Sequence, residues 1–230
     1  MDEAWELFWT NSSVTEATVA PFAERIAAFP PGPGPSRACT FPAPSEPLRL
    51  ANDRLARLVT RRRSTRSFGP GTLSPRQLGS LLTAFAGRAD GSRGYPSAGA
   101  LYPLEIFVLT GDAVGCYNPD DHSLTAVGPL PPWPDWSGCL NLPVEGVPQV
   151  VVVFVLLPER MIAKYGATGG RFALIEVGHA AHNLALRLAA DGLVGCEAGG
   201  VVEAALVRLL RLDGTGARIP LAYACGLPPA

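Results

Sequence analysis

The residue types able to do chemistry gather in three stretches. Arg61-Arg62-Arg63-Ser64-Thr65-Arg66 is a dense basic run. On an extended segment, alternation puts Arg62, Ser64 and Arg66 on one side, where two guanidiniums and a hydroxyl can converge on a phosphate dianion. A solvated basic turn at the carboxyl end of a helix accounts for the same charges. Pro96-Ser97-Ala98-Gly99-Ala100-Leu101-Tyr102-Pro103 is a run of small residues passing straight into the apolar Leu104-Glu105-Ile106-Phe107-Val108. Small side chains at such a junction let backbone N–H and C=O groups approach a flat ligand, and a plain turn into a strand reads the same way. The third stretch begins with Lys164-Tyr165 and continues into a helix-like segment holding Glu176-Val177-Gly178-His179 and His182. By composition the first pair is an exposed lysine beside a packing tyrosine. His179 and His182 stand at i and i+3, but no complete metal-ligand set accompanies them, so packing or a helix interface is the favoured role.

These stretches need elements to position them. Residues 4–29 pass from helix-like character through a break at Asn11-Ser12-Ser13 to a short amphipathic helix over 17–28. Residues 29–47 are dense in proline and glycine and form a strap without regular structure. Leu50, Leu55, Leu58 and Val59 suggest a helix leading into the basic run. Ser74-Pro75 opens a second helix, with Leu78, Leu81, Leu82 and Phe85 on its apolar face. A strand follows at 104–109, then a hairpin over 114–127 turning at Asn118-Pro119-Asp120-Asp121. Residues 129–148 form an irregular loop whose Trp133 and Trp136 make either a satellite cluster, the favoured reading, or a lid over an apolar substrate. Residues 149–157 read as a strand buried on both faces. Leu174, Val177, Ala181, Leu184 and Leu188 define a long helix over 171–191 that Gly192 terminates. Short strands at 193–197 and 219–225 flank a helix over 202–210. No Rossmann glycine fingerprint opens a βα unit, so the expected fold class is α+β.

Composition sets outer bounds. At 230 residues with 47% hydrophobic and 17% charged residues, the chain can bury a sizeable core. A net charge of −1 gives no reason to expect nucleic acid or an anionic membrane as partner. No apolar run approaches the ~18–20 residues of a membrane span. Asp2, Glu3 and Glu6 are unlike the basic start of a signal peptide, and a cytoplasmic location is expected. Cys39, Cys116, Cys139, Cys196 and Cys225 are dispersed, which favours reduced thiols over a disulfide framework.

Taken together, the basic run, the 96–108 stretch and the Glu176–His182 region resemble the FMN-dependent nitroreductase superfamily, over roughly residues 48–226. Within it they look most like the SagB-type azoline dehydrogenases, which oxidise thiazolines and oxazolines in peptide natural products. The resemblance implies a mixed sheet wrapped by helices, and a homodimer with FMN at the interface. It assigns Arg62, Ser64 and Arg66, with Arg63 less firmly, to the phosphate and ribityl chain. It lays Ser97, Ala98, Gly99, Ala100 and Leu101 along the isoalloxazine ring, with Gly199 and Gly200 on its other side. The basic residue that often follows the family's last strand is missing from Gly226-Leu227-Pro228. Lys164 and Tyr165 match a pair implicated in substrate deprotonation, and Arg171 matches the arginine opening the long helix.

Aromatising an azoline removes a hydride from one ring carbon and a proton from its neighbour. The flavin can accept the hydride, and the proton needs a base. A lysine with a pKa near 10.4 in water serves only if its surroundings favour the neutral amine. The resulting expectation is an N-terminal helix and strap over 1–47 and an FMN-binding domain over 48–230. It would oxidise azolines on a peptide or carrier-bound intermediate, in company with other biosynthetic enzymes. The alternatives are a general NAD(P)H-dependent nitro or quinone reductase, an α,β-dehydrogenase of amino-acid residues, and a flavin-free peptide-binding scaffold.

Overall fold

The computed structural model describes residues 3–28 and 48–229. The strap expected over 29–47 lies outside the described residues. Two helices, α1 (Glu3–Ser12) and α2 (Val19–Ala27), precede α3 (Arg54–Arg61) and α4 (Pro75–Leu82). Strands β1 (Leu104–Thr110), β2 (Ala113–Asn118) and β3 (Ser123–Pro129) follow, then the one-turn α5 (Trp133–Trp136) and β4 (Val150–Leu156). The chain continues through α6 (Glu159–Tyr165), α7 (Thr168–Asp191), β5 (Val194–Ala198), α8 (Glu203–Leu209) and β6 (Arg218–Gly226).

The strands form one sheet in the order β3-β2-β1-β4-β6-β5. Every ladder in it is antiparallel. Here the expectation of a mixed sheet is corrected for the described residues: parallel pairing is confined to the single bridges Val14–Val202 and Ser67–Glu145. The connection from β4 to its neighbour β6 runs through α6, α7, the edge strand β5 and α8 and returns antiparallel, so no parallel crossover is built. β4 sits at the centre with all seven residues buried, as its unbroken Val-Val-Val-Val-Phe-Val-Leu run requires. Alternate residues feed two cores. Ile106, Val108, Val152 and Phe154 face α7, whereas Phe107, Leu109, Val151 and Val153 face Leu206 of α8 and Trp136.

Local chemistry sets the helix ends. The Asp53 side chain accepts from Ala56 N at 2.8 Å to start α3. Ser74 and Gln77 form a reciprocal capping box with Pro75 in the first turn of α4. α7 buries Ala173, Glu176, Val177, Ala180, Ala181, Leu184 and Leu188 along one stripe and stops at Gly192 in the left-handed region. Its other face, with Arg171, Ile175, Gly178, His179 and His182, is exposed. α1 is part of the same core: Trp5 closes against Gly170, and the Trp9 indole donates to Glu203 at 2.8 Å. Among the described residues no helix is long and apolar enough to cross a membrane.

Candidate active site

The small-residue stretch enters β1 through a single 3-10 turn at Ala98–Ala100. Gly99, Ala100 and Tyr102 all have positive φ, at 63°, 54° and 44°. Two of these three residues carry a Cβ, a conformation that persists only where surrounding contacts hold it. The restraints are local. Tyr102 N donates to Ser97 Oγ at 2.9 Å and Ala100 N to Ser97 O at 3.1 Å. Arg93 N donates to the Tyr102 hydroxyl at 3.1 Å, and the Arg93 guanidinium lies 4.8 Å from the Tyr102 ring centroid.

Lys164 and Tyr165 end a short helix of their own, α6, which Gly166 caps, and the chain turns there into α7. The turn carries the pair to the small-residue loop. A Cβ placed on Gly99 would lie 2.6 Å from Lys164 Nζ and 2.6 Å from Tyr165 Oη. Two side chains from one element thus converge on one backbone position of another, 65 residues earlier by numbering. Tyr165 is half-buried and packs edge-on against Phe172 at 5.2 Å, whereas Lys164 is exposed.

The basic run is extended, as the alternation predicts, and pinned at several points. Thr65 N donates to Gly195 O at 2.9 Å, Glu145 N to Arg66 O at 2.9 Å, and Gly69 N to Leu227 O at 3.0 Å. Arg62 and Arg66 both lie near β5 and β6. The Arg62 charge reaches Tyr223, and the Arg66 charge and Ser64 hydroxyl reach Cys196. Arg63 points elsewhere. Its guanidinium donates to the carbonyls of Thr60 at 2.6 Å and Arg62 at 2.9 Å, capping α3. That is the helix-closing role which the charge alone allowed.

The two halves stand apart within one chain. The loop packs on the amino-terminal half of α7 near Glu176, and Thr65 binds Gly195, just past the helix's other end. Glu176 to Asp191 spans about 22 Å at 1.5 Å per residue. Gly199 and Gly200 follow β5, four and five residues beyond Gly195. A Cβ on Gly199 would meet nothing, while one on Gly200 would strike Phe22 of α2 at 2.5 Å. Packing of α2 therefore explains Gly200, and Gly199 alone is open to a ligand.

Trp133 and Trp136 pack edge-to-face at 4.9 Å. They line a 560 Å³ cavity with Thr110, Gln149 and Val151. These residues lie at the ends of β1 and β4 remote from Leu104 and Leu156, the ends nearest Lys164. The cavity thus stands apart from this chain's own Lys164 and Tyr165, and the edge-to-face pair fits the satellite-cluster reading.

One buried group escaped the sequence reading. Glu176 is 1% exposed, and neither carboxylate oxygen has a hydrogen-bond partner of normal geometry. Burial pushes its carboxyl up to about 7, against the opposing pull of the Ser97 hydroxyl and the Arg93 guanidinium. The one available signal was its place on the buried stripe of α7, one residue before Val177.

A central antiparallel sheet thus lies between two helical layers in an α+β fold, with a strained loop meeting a lysine–tyrosine pair at one end. The nitroreductase family pattern matches residues 59–227, and the chain belongs to that family. A nitroreductase-like protein of Methanocaldococcus jannaschii is 30% identical over 168 residues, covering 69% of this chain and 85% of its own. The microcin B17-processing protein McbC of Escherichia coli is 30% identical over 147 residues, 58% of this chain and 54% of McbC, so the match spans about half of that relative. The Escherichia coli microcin synthetase McbBCD complex, solved with truncated pro-MccB17 bound, shares the fold. Its TM-score is 0.70 at 24% identity, covering 95% of this chain and 84% of that one.

Proposed function

We propose that this protein is an FMN-dependent dehydrogenase that oxidises azoline rings on a peptide or carrier-bound intermediate. The observation that carries the reading is the convergence of Lys164 Nζ and Tyr165 Oη on Gly99. It gives the loop expected along the flavin ring a neighbouring lysine and tyrosine, either of which would receive a substrate proton in its deprotonated form. The similarity to McbC over about half of that protein adds the chemical direction.

The residues present fit the cofactor. Among the described residues, no hydrogen bond or ion pair engages the Arg62 or Arg66 guanidinium; the Arg62 charge acts on Tyr223 of β6, and Arg66 with Ser64 acts on Cys196 of the neighbouring β5. Both guanidiniums are free to form charge-assisted bonds to a phosphate. The backbone of residues 97–101 and the open Gly199 would border the ring. FMN, when bound, supplies the hydride acceptor. The chain's own residues bind it, orient the azoline against it and take the proton at Lys164 Nζ or Tyr165 Oη.

We further propose a homodimer in which one chain's basic run and the other chain's 97–101 loop share a flavin. The separation of these halves along α7 and the exposed face of that helix carrying Ile175 and Gly178 support this arrangement. The test is mass spectrometry of a thiazoline-containing peptide incubated with the yellow protein. A loss of two hydrogens is expected, falling about 10²- to 10⁴-fold in Lys164→Ala or Tyr165→Phe with flavin retained. Rapid bleaching of the flavin by NADPH, with normal turnover in both variants, would make the protein a general reductase instead.

A further inference from the structure

Glu176 has no part in the chemistry above, yet its surroundings are unusual. It projects from the buried stripe of α7 toward the loop that precedes β1 and is 1% exposed, with both oxygens lacking a hydrogen-bond partner of normal geometry. A carboxyl removed from water without a partner is costly, and buried polar side chains are ordinarily paired. The groups facing it are Arg93, Tyr95 and Ser97. Tyr95 is itself buried, accepts from Arg93 Nη1 at 3.2 Å and packs edge-on against Tyr102 at 5.9 Å. Tyr117 of β2 borders the same cluster through Arg93 and Tyr95. The ionisable residues on α7 nearest in sequence, Arg171, His179 and His182, lie on the exposed face.

Ser97 connects this carboxyl to the site. Its oxygen accepts Tyr102 N, the bond that closes the positive-φ turn, which leaves its single proton to be donated elsewhere. The turn holds Gly99 against Lys164 and Tyr165.

From this juxtaposition we propose that Glu176 is a positioning residue, whose ionised carboxylate takes the Ser97 proton and locks the 97–102 turn in its reactive conformation. A carboxylate accepts that proton in a charge-assisted bond, roughly twice as strong as a neutral one. A protonated carboxyl can offer that proton only a neutral acceptor, about half as strong, and the lock loosens. Burial places this change of state near neutrality, so the loop is set by pH in the physiological range.

The proposal rests on the azoline-dehydrogenase reading for its kinetic arm only. With a thiazoline-containing peptide, wild-type kcat/KM should exceed that of Glu176→Gln by about ten- to a hundred-fold at about pH 8, the loss produced by a shift of about 1 Å in a reacting group. At about pH 6, where wild type is itself largely neutral at this position, the two should agree within a few-fold. A second arm needs no substrate. Amide hydrogen exchange of residues 98–102 in the flavin-loaded dimer, corrected for intrinsic rate, should slow in wild type between the two pH values and not in Glu176→Gln. Ser97→Ala should lose the same pH dependence, and it replaces Glu176→Gln should that variant fail to fold. Exchange that responds to pH alike in wild type and variants would overturn the proposal, as would a kinetic ratio independent of pH. A peptide left unoxidised while the exchange arm behaves as expected would reject the azoline reading and leave the Glu176 lock standing.

Discussion

Replacing Gly99 by alanine separates stability from function more sharply than any other single substitution. The new methyl would lie 2.6 Å from both Lys164 Nζ and Tyr165 Oη, whereas comfortable packing is about 3.5–4.0 Å. Both tips must therefore retreat by about 1 Å. They are the far ends of flexible side chains, so the packing cost is small, and the main penalty is an alanine at φ 63°. That penalty is about 1–2 kcal/mol, which for a chain of this size lowers Tm by about 2–8 °C. Activity should suffer far more, because about 1 Å of displacement in a reacting group costs on the order of 10²-fold. Thermal unfolding, flavin absorbance and azoline turnover, measured together, check the split. Gly192→Ala is the control: it has the same left-handed backbone, at φ 69°, with nothing within 4 Å of the new Cβ. It should show the Tm loss alone. A Gly99→Ala enzyme turning over within about three-fold of wild type would refute the idea that Lys164 and Tyr165 work at this loop.

Two other outcomes bear on the site. On the proposed phosphate assignment, Arg62→Ala/Arg66→Ala would remove charge-assisted contacts worth about 1.5–3 kcal/mol each and should weaken flavin binding by 10²-fold or more, whereas Arg63→Ala should leave it unchanged. Mixing that inactive double variant with inactive Lys164→Ala and allowing subunit exchange should return about a quarter of wild-type activity, since each mixed dimer regains one intact site; no recovery would place both halves in one chain. Glu176 also gives an inverted stability profile. Its carboxyl is raised to about 7 from 4.5, so between those values the folded state holds more protons than the unfolded, and stability falls as pH rises through that window. The loss sums to about 3 kcal/mol at most, and urea titrations at about pH 4.5 and pH 7.5 should show it shrinking in Glu176→Gln.

Where periodicity or capping chemistry dictated an element, the structure agrees with the sequence reading. Ser74-Pro75 starts α4, the 150–156 run is the central strand, and Gly192 ends α7. The β2–β3 hairpin was legible as an antiparallel pair, but the antiparallel sense of β4 and β6 was not, because strand direction is set by connections and the long excursion between them is compatible with either sense. Arg62 and Arg63 are indistinguishable as residue types. Only the backbone turn at the end of α3 sends one guanidinium back to the helix carbonyls and leaves the other free. Gly200 was likewise ambiguous, because a glycine spared for a ligand and one spared for Phe22 look the same in sequence. Glu176 was hidden because a glutamate in a helix is ordinarily a solvated residue, and only the path of the 95–102 loop over α7 buries it.

α7 explains why so much of the site depends on one helix. Its amino-terminal half carries Glu176 under the strained loop and follows directly from the turn that presents Lys164 and Tyr165. Its carboxyl end feeds β5, whose Gly195 carbonyl fixes the basic run through Thr65. On the proposed function, the half that would handle the proton and the half that would hold the phosphate are placed by opposite ends of a rigid rod about 36 Å long, and a second chain antiparallel to the first would bring unlike ends together. The exposed face suits such a neighbour: Ile175 offers apolar surface, and Gly178, with nothing within 4 Å of a Cβ there, leaves room for close approach. Under the proposed dimer, in which neither half is complete alone, dimerisation and cofactor binding would be one event.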